Sequence, residues 1–339
     1  MGQSASNKPP SGRTRPFWDA HACLPLARPA SLHELSRHRQ AGCRAVAVNV
    51  GFDGMSPQAT IATLERLAAE LATSGDSVAN LAAAPTEASD ATPLVVYFDI
   101  EGADVLCGDL HALERLTELG MRSMLPVYNR ENAAGGGCYD PPHHGLSRFG
   151  RELVRRQNAL GVIVDASHCS LQTSLDMCTL SSRPVVFSHS NCRALTDHPR
   201  NISDDQIRAA ASTGGVVGIS GVSAFLGSDD LPAAICANIL HVVEIAGIDH
   251  VGIGLDYVYD RNDLDRLIAT SPALFSDQTS KARITPRFCP PEQWMEIEDR
   301  LSRSGLDQAE LEKVRWNNFA RVARETFPDR SSASRHQSG

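Results

Sequence analysis

Two short apolar runs in this chain end in the same way. Pro184-Val185-Val186-Phe187 leads into Ser188-His189, and Val162-Ile163-Val164 leads through Asp165-Ala166-Ser167 to His168. A buried strand delivers the side chain just past its last apolar residue to the edge of its sheet, so each run presents an imidazole at a strand end. A lone histidine of that kind is more often structural. Two at equivalent places point to one shared polar site, and neutral imidazole is a common ligand of divalent metals. A third run, Phe17–Leu24, places His21 and Cys23 on one face of a strand, because strand side chains repeat every second residue. Two more runs end in carboxylates, Leu94–Ile100 in Glu101 and His250–Leu255 in Asp256. Three imidazoles, a thiol and two carboxylates can hold two divalent cations with a carboxylate between them. Cations paired at ~3.5–4 Å activate a bridging water and polarise a carbonyl. Taken singly, Glu101 reads equally well as a cap, Cys23 as a core thiol and Asp256 as a turn residue; their joint placement favours the metal site.

The elements that must position these residues follow from periodicity. Strands are predicted at Phe17–Leu24, Ala45–Val50, Leu94–Ile100, Arg122–Val127, Val162–His168, Pro184–Phe187, Gly215–Ile219 and His250–Asp256. Between them lie helices at Ser31–Ala41, Pro57–Thr73, Leu110–Leu119, Ser147–Leu160, Ser170–Leu180, Ser203–Ala211 and Leu231–Ala246, with two more at Pro291–Ser304 and Asp307–Thr326. Ser74–Pro93 reads as helix continuation and loop. Tyr128–His144 is a Gly/Asn/Pro-rich loop longer than a connection needs, which marks it as functional or disordered. Eight strands alternating with helices over about 250 residues have the count and length of a (β/α)8 barrel, whose strand ends converge on one catalytic face. An open doubly wound sheet is the alternative, but no G-x-G-x-x-G follows the first strand, which argues against a dinucleotide site.

The 339 residues carry a net charge of −8, which argues against a nucleic-acid partner. No run approaches the ~18 apolar residues of a membrane span. Residues 1–16 read as a flexible arm, 17–327 as a single barrel domain and 328–339 as a flexible tail. Met1-Gly2 with Ser6 fits the loose myristoylation pattern, but nothing else points to a membrane. The nine cysteines are odd in number and form no C-x-x-C pair, so they read as reduced thiols of a cytoplasmic protein.

The ordered stretches together resemble the membrane dipeptidase (renal dipeptidase) family, peptidase family M19. The resemblance runs from about Trp18 to Thr326. It rests on Asp19-Ala20-His21, Ile100-Glu101-Gly102, Gly145-Leu146-Ser147-Arg148-Phe149-Gly150, Val164-Asp165-Ala166-Ser167-His168, Phe187-Ser188-His189-Ser190, Arg200-Asn201-Ile202-Ser203-Asp204 and Gly252-Ile253-Gly254-Leu255-Asp256. It implies a (β/α)8 barrel with two zinc ions that hydrolyses dipeptides, and a homodimer. By the same resemblance His21 binds the first metal, Glu101 bridges both, and His168 and His189 bind the second. Arg200 grips the substrate carboxylate as a planar fork, and Asp256 holds the bridging water and shuttles its proton. Tyr128 stands where the family usually has a histidine that helps polarise the scissile carbonyl; a phenol can donate a similar hydrogen bond, and an aromatic lid contact is the plainer reading.

The main departure is Cys23, where the family motif His-x-Asp becomes His-Ala-Cys. A thiolate carries the charge of a carboxylate and binds zinc at ~2.3 Å, but it is softer and disfavours Mg and Mn. Cys23 is therefore either a ligand or a filler beneath a weakened first site. Three functional readings follow: a dizinc dipeptidase; a metal-dependent amidohydrolase for another small amide, such as an N-acyl amino acid or a lactam; and a non-catalytic metal-binding barrel.

Overall fold

The computed structural model describes residues 15–75, 78–80, 89, 92–275 and 286–327. The expected N-terminal arm, apart from Arg15 and Pro16, the myristoylation pattern, the C-terminal tail and much of the 74–93 stretch lie outside the described residues.

Among the described residues there are ten strands: β1 Phe17–Cys23, β2 Cys43–Phe52, β3 Val78–Asn80, β4 Leu94–Glu101, β5 Met121–Leu125, β6 Ile163–Asp165, β7 Val185–Val186, β8 Val217–Ile219, β9 Val251–Ile253 and β10 Tyr257–Val258. All pairings between them are parallel, in the order β10-β1-β2-β4-β5-β6-β7, with β8 paired to β9. The two sheets join through a parallel bridge between Phe187 and Val217. The Asp256 amide donates to the His21 carbonyl at 3.0 Å and brings the end of β9 back to β1. The curled sheet with its alternating helices is a (β/α)8 barrel of the TIM type.

Parallel strands covered on both faces must be apolar on both. In β4, Leu94, Val96, Phe98 and Ile100 pack outward beneath the helices, while Val95 and Tyr97 point into the barrel. The interior is filled at one end by Trp18, Tyr97, Val186 and Val216, closed below by Trp316, Phe319 and Ala323 from the C-terminal helices. Burying an aromatic ring of this size contributes roughly 1.5–3 kcal/mol, so the last helices are part of the core and not an appendage. Above this apolar layer the inward positions turn polar: Asp99 and Glu101 continue the alternation of β4. In β1 the pairing slips between Asp19 and Ala22. Such an irregularity at a barrel rim re-aims side chains, and beyond it Ala22 packs outward while His21 and Cys23 join the interior cluster. Gly254 is required here because a Cβ would lie 1.8 Å from the Ser188 carbonyl.

The helix at Pro57–Thr73 has the expected bounds, and Ser147, Ser170 and Ser203 each cap a helix by accepting from a backbone amide three residues on. Three differences stand out. The 74–93 stretch, expected as helix and loop, contains β3, which pairs in parallel with the start of β4; the neighbouring strand overrides the local Ala/Ser/Thr composition. An extra helix, Arg261–Thr270, follows β10, started by Asp260, whose carboxylate accepts from the Asn262 and Asp263 amides. The last helix is broken by a π turn at Lys313–Asn317, which sets Trp316 into the barrel floor.

Candidate metal centre

At the C-terminal rim of the barrel the five predicted metal ligands and the predicted proton shuttle Asp256 lie together. His168 Nε2 is 3.1 Å and His189 Nε2 3.3 Å from Glu101 Oε1, and His21 Nε2 is 3.8 Å from the same oxygen. On the other side of His21, Cys23 Sγ is 3.5 Å from its Nε2, and Asp256 Oδ1 is 3.7 Å from it. The thiol also donates to Asp256 Oδ1 at 3.3 Å. Two trios of donor atoms each fall within 4.8 Å of one another, His21/Glu101/His189 and His21/Cys23/Asp256. Glu101 thus lies between a His21/Cys23/Asp256 side and a His168/His189 side.

The far edges of the three imidazoles determine what the near edges can do. Asn129 Nδ2 donates to the Leu274 carbonyl, so its Oδ1 faces His168 Nδ1 at 2.7 Å and accepts from it. The Ser188 hydroxyl donates to Asp165 and accepts from His189 Nδ1 at 2.7 Å. Asp99 Oδ2 lies 3.2 Å from His21 Nδ1. His168 and His189 therefore keep the proton on Nδ1 and turn an Nε2 lone pair inward, while the Asp99 carboxylate faces Nδ1 of His21. His168 Nε2 and His189 Nε2 are only 2.9 Å apart, and Glu101 Oε1 has no hydrogen-bond partner. Buried lone pairs crowded in this way repel unless a cation lies among them. Donors about 3.3 Å apart are the edges of a tetrahedron around a cation held at ~2.0–2.1 Å. The donor set fits a metal.

The protein's own charges reinforce this. Burial drives His168 and His189 well below the ordinary imidazole range, with the positive charges of Arg200 and His21 adding to it, so both stay neutral. Burial also opposes charge on His21, but Asp99, Cys23 and Glu101 outweigh it and hold that ring well above its usual value. Burial pushes Glu101 up to about 8 against the attraction of His21. It raises the Cys23 thiol further, although His21 counteracts it. Asp256 is raised by burial too, with His21 and Arg200 pulling the other way. A carboxylate and a thiol that resist ionisation need a nearby positive charge, which a cation supplies.

Three residues of the site carry left-handed backbone: Asn129 at φ 60°, His168 at φ 64° and Asp256 at φ 56°. Conformations of this kind cost on the order of 1–3 kcal/mol in non-glycine residues and gather at functional sites. Here they are held by long-range hydrogen bonds, Cys138 N to His168 O at 2.8 Å and Asp256 N to His21 O.

Tyr128 stacks on His168 with ring centroids 4.3 Å apart and packs against Phe52 and Phe275. Arg200 is 2% exposed, donates to the Ser190 hydroxyl and the His189 carbonyl, and stands over the Phe225 ring. With His168 it lines a cavity of about 480 Å³ beside the donor cluster, which suits a small ligand.

The sequence reading did not pick out the residues behind the donors. Asp99 carried a signal, since it lies two residues before Glu101 and so shares its face. Asp19 sits at full burial, accepting from the His21 and Leu255 amides and bonded to buried His38, which meets the Tyr259 hydroxyl. Asp53 accepts from the Asp104 and Tyr128 amides and from Asn132, and burial pushes it up to about 7. Asn129 and Asp53 gave no periodic signal.

The family model of membrane dipeptidases, peptidase family M19, matches residues 30–270. The chain belongs to this family. It is a metal-dependent hydrolase acting on the peptide bond of dipeptides. An uncharacterized protein encoded in the 5′ region of pqqA in Klebsiella pneumoniae is 31% identical over 246 residues, covering 69% of this chain and 83% of its own. The fold matches an amidohydrolase from Pseudomonas aeruginosa with a TM-score of 0.81 at 24% identity, covering 92% and 97% of the two chains. It also matches a metallopeptidase from Rhodobacter sphaeroides liganded with a phosphinate mimic of L-Ala-D-Ala, with a TM-score of 0.74 at 21% identity over 92% and 99%.

Proposed function

We propose that this member of the dipeptidase family is a zinc enzyme that binds two ions and cleaves dipeptides bearing a free C-terminal carboxylate. The observation that carries the reading is the convergence of three imidazole Nε2 atoms on Glu101, with the Cys23 sulfur and Asp256 beside the His21 Nε2. In this assignment His21 and Cys23 hold one ion, His168 and His189 the other, and Glu101 lies between them. Zinc at such a centre polarises the scissile carbonyl and makes water nucleophilic near neutral pH.

The chain's own residues supply the rest. Asp256 Oδ1, facing His21 and Cys23, takes the proton of the attacking water and returns it to the leaving amine. Its left-handed backbone aims the carboxylate into the centre. Asp99, Asn129 and Ser188 keep the imidazole rings in the tautomer that coordinates. Tyr128, stacked on His168, covers the centre and places a phenol at the carbonyl. Arg200 uses two of its five N–H groups inside the protein and has the others to bind the substrate's carboxylate. A soluble homodimer in the cytoplasm, built on a single barrel domain, completes the proposal. The dipeptide mimic bound to the Rhodobacter metallopeptidase supports a substrate of this size.

Metal analysis of protein purified without chelator, paired with a screen of L,L- and L,D-dipeptides, tests the reading. About two zinc ions per chain are expected, removable by chelators together with activity. Fewer than ~0.5 metal per chain, without activation by added zinc, would overturn it.

Arg200→Lys is expected to raise KM for dipeptides about tenfold to a hundredfold, because a point charge does not reproduce the two-pronged contact. Equal cleavage of dipeptides and their C-terminal amides would remove Arg200 from carboxylate recognition.

A further inference from the structure

The cavity beside the metal centre holds a second guanidinium. Arg193 lines it together with Arg200, His168 and Cys138. Both arginines come from the loop that follows β7, which is pinned by the bridge between Cys192 and Ile202. The Arg193 amide donates to the Ile202 carbonyl at 2.8 Å, and its Nη2 donates to the Pro199 carbonyl at 2.9 Å. The Arg193 guanidinium is thereby held against the carbonyl of the residue before Arg200. Both positive charges reach the Cys138 thiol on the opposite wall, where they favour its ionised form against a burial effect that pushes it up to about 12.

Two carboxylates also line the cavity. Asp140 accepts from the Gly137 amide and pairs with Arg130, while Asp197 is exposed. Among the described residues, no carboxylate lies within ion-pair distance of Arg193 or Arg200. The Nε atoms of both arginines are buried without a hydrogen-bond partner. Two adjacent guanidinium groups facing one cavity repel each other and lose solvation, a cost that a ligand bearing two negative charges reverses.

We infer that the favoured substrates are dipeptides whose C-terminal residue is acidic, with the α-carboxylate on Arg200 and the side-chain carboxylate on Arg193. This rests on the reading of Arg200 as the carboxylate anchor. It assigns Arg193 as the residue that determines specificity, and it leaves the chemistry at the metal centre as described.

The test compares kcat/KM for Ala-Glu and Ala-Gln, which differ only in the terminal charge, with the C-terminal residue in both L and D forms. In the zinc-loaded wild-type protein the acidic substrate of the accepted series is expected to be favoured about tenfold or more. In Arg193→Gln that ratio should collapse to near one, and in Arg193→Lys it should take an intermediate value, since the charge stays but the fork is lost. A merely structural role for Arg193 would lower both substrates together and preserve the ratio, and that result overturns the inference. So does a wild-type ratio near one with Ala-Gln readily hydrolysed, which leaves the dipeptidase reading intact. Failure to cleave any dipeptide overturns both. Should Arg193→Gln not fold, the wild-type ratio and the Lys variant still decide.

Discussion

Asp256→Asn is expected to keep the wild-type metal content and lose about a thousandfold in kcat. General acid–base catalysis by a positioned side chain contributes on the order of 10²–10⁴, and the amide cannot accept a proton from water. The substitution is close to a pure test of chemistry. Asn and Asp are the non-glycine residues that best tolerate the left-handed conformation found at φ 56°, so the backbone at the end of β9 is not strained further. The amide keeps an oxygen toward His21 and the Cys23 thiol, where Asp256 Oδ1 now sits. Measuring zinc and kcat on the same preparation separates proton transfer from metal loss. Turnover near that of the wild type, with two ions bound, would remove Asp256 from the mechanism.

Cys23→Ala is expected to release about one zinc ion per chain and to lower kcat/KM by about a hundredfold, while the fold and the second ion persist. The sulfur lies within 3.5 Å of both His21 and Asp256, whereas His168 and His189 sit across Glu101 and do not depend on it. As a ligand Cys23 is held as thiolate. Bound zinc should then shield it from alkylation, and the centre should prefer zinc to manganese or magnesium. Cys23→Asp should restore the second ion and widen metal tolerance, since an oxygen ligand is harder than sulfur. If Cys23 only fills space beneath the centre, alanine leaves metal content and activity nearly unchanged, and the two-ion assignment with this thiol fails.

The family and the catalytic face were legible from local pattern. Strand runs such as Leu94–Ile100 alternate with helices whose caps, Ser147, Ser170 and Ser203, are marked by residue type alone. A period of two places the residue after each run at the rim, which is why His21, Glu101, His168, His189 and Asp256 could be grouped. Local pattern misled where a neighbour decided the outcome: Val78–Asn80 became a strand by pairing with β4.

The chemical identity of the rim residues was not legible, because it depends on partners far apart in the chain. Closure of the barrel brings Asp256 to His21, more than two hundred residues away. The choice of Nε2 over Nδ1 rests on Asp99 for His21, on Asn129 for His168 and on Ser188 with Asp165 for His189. Residue type allows left-handed backbone at Asn129 and His168, but hydrogen bonds such as Cys138 N to His168 O and Tyr139 N to Asn129 O decide that these positions adopt it. Period and capping are properties of a few adjacent residues, and the sequence carries them by itself. Tautomer, burial and the placing of Arg193 and Arg200 on one cavity are properties of a closed surface, and only the tertiary structure decided them.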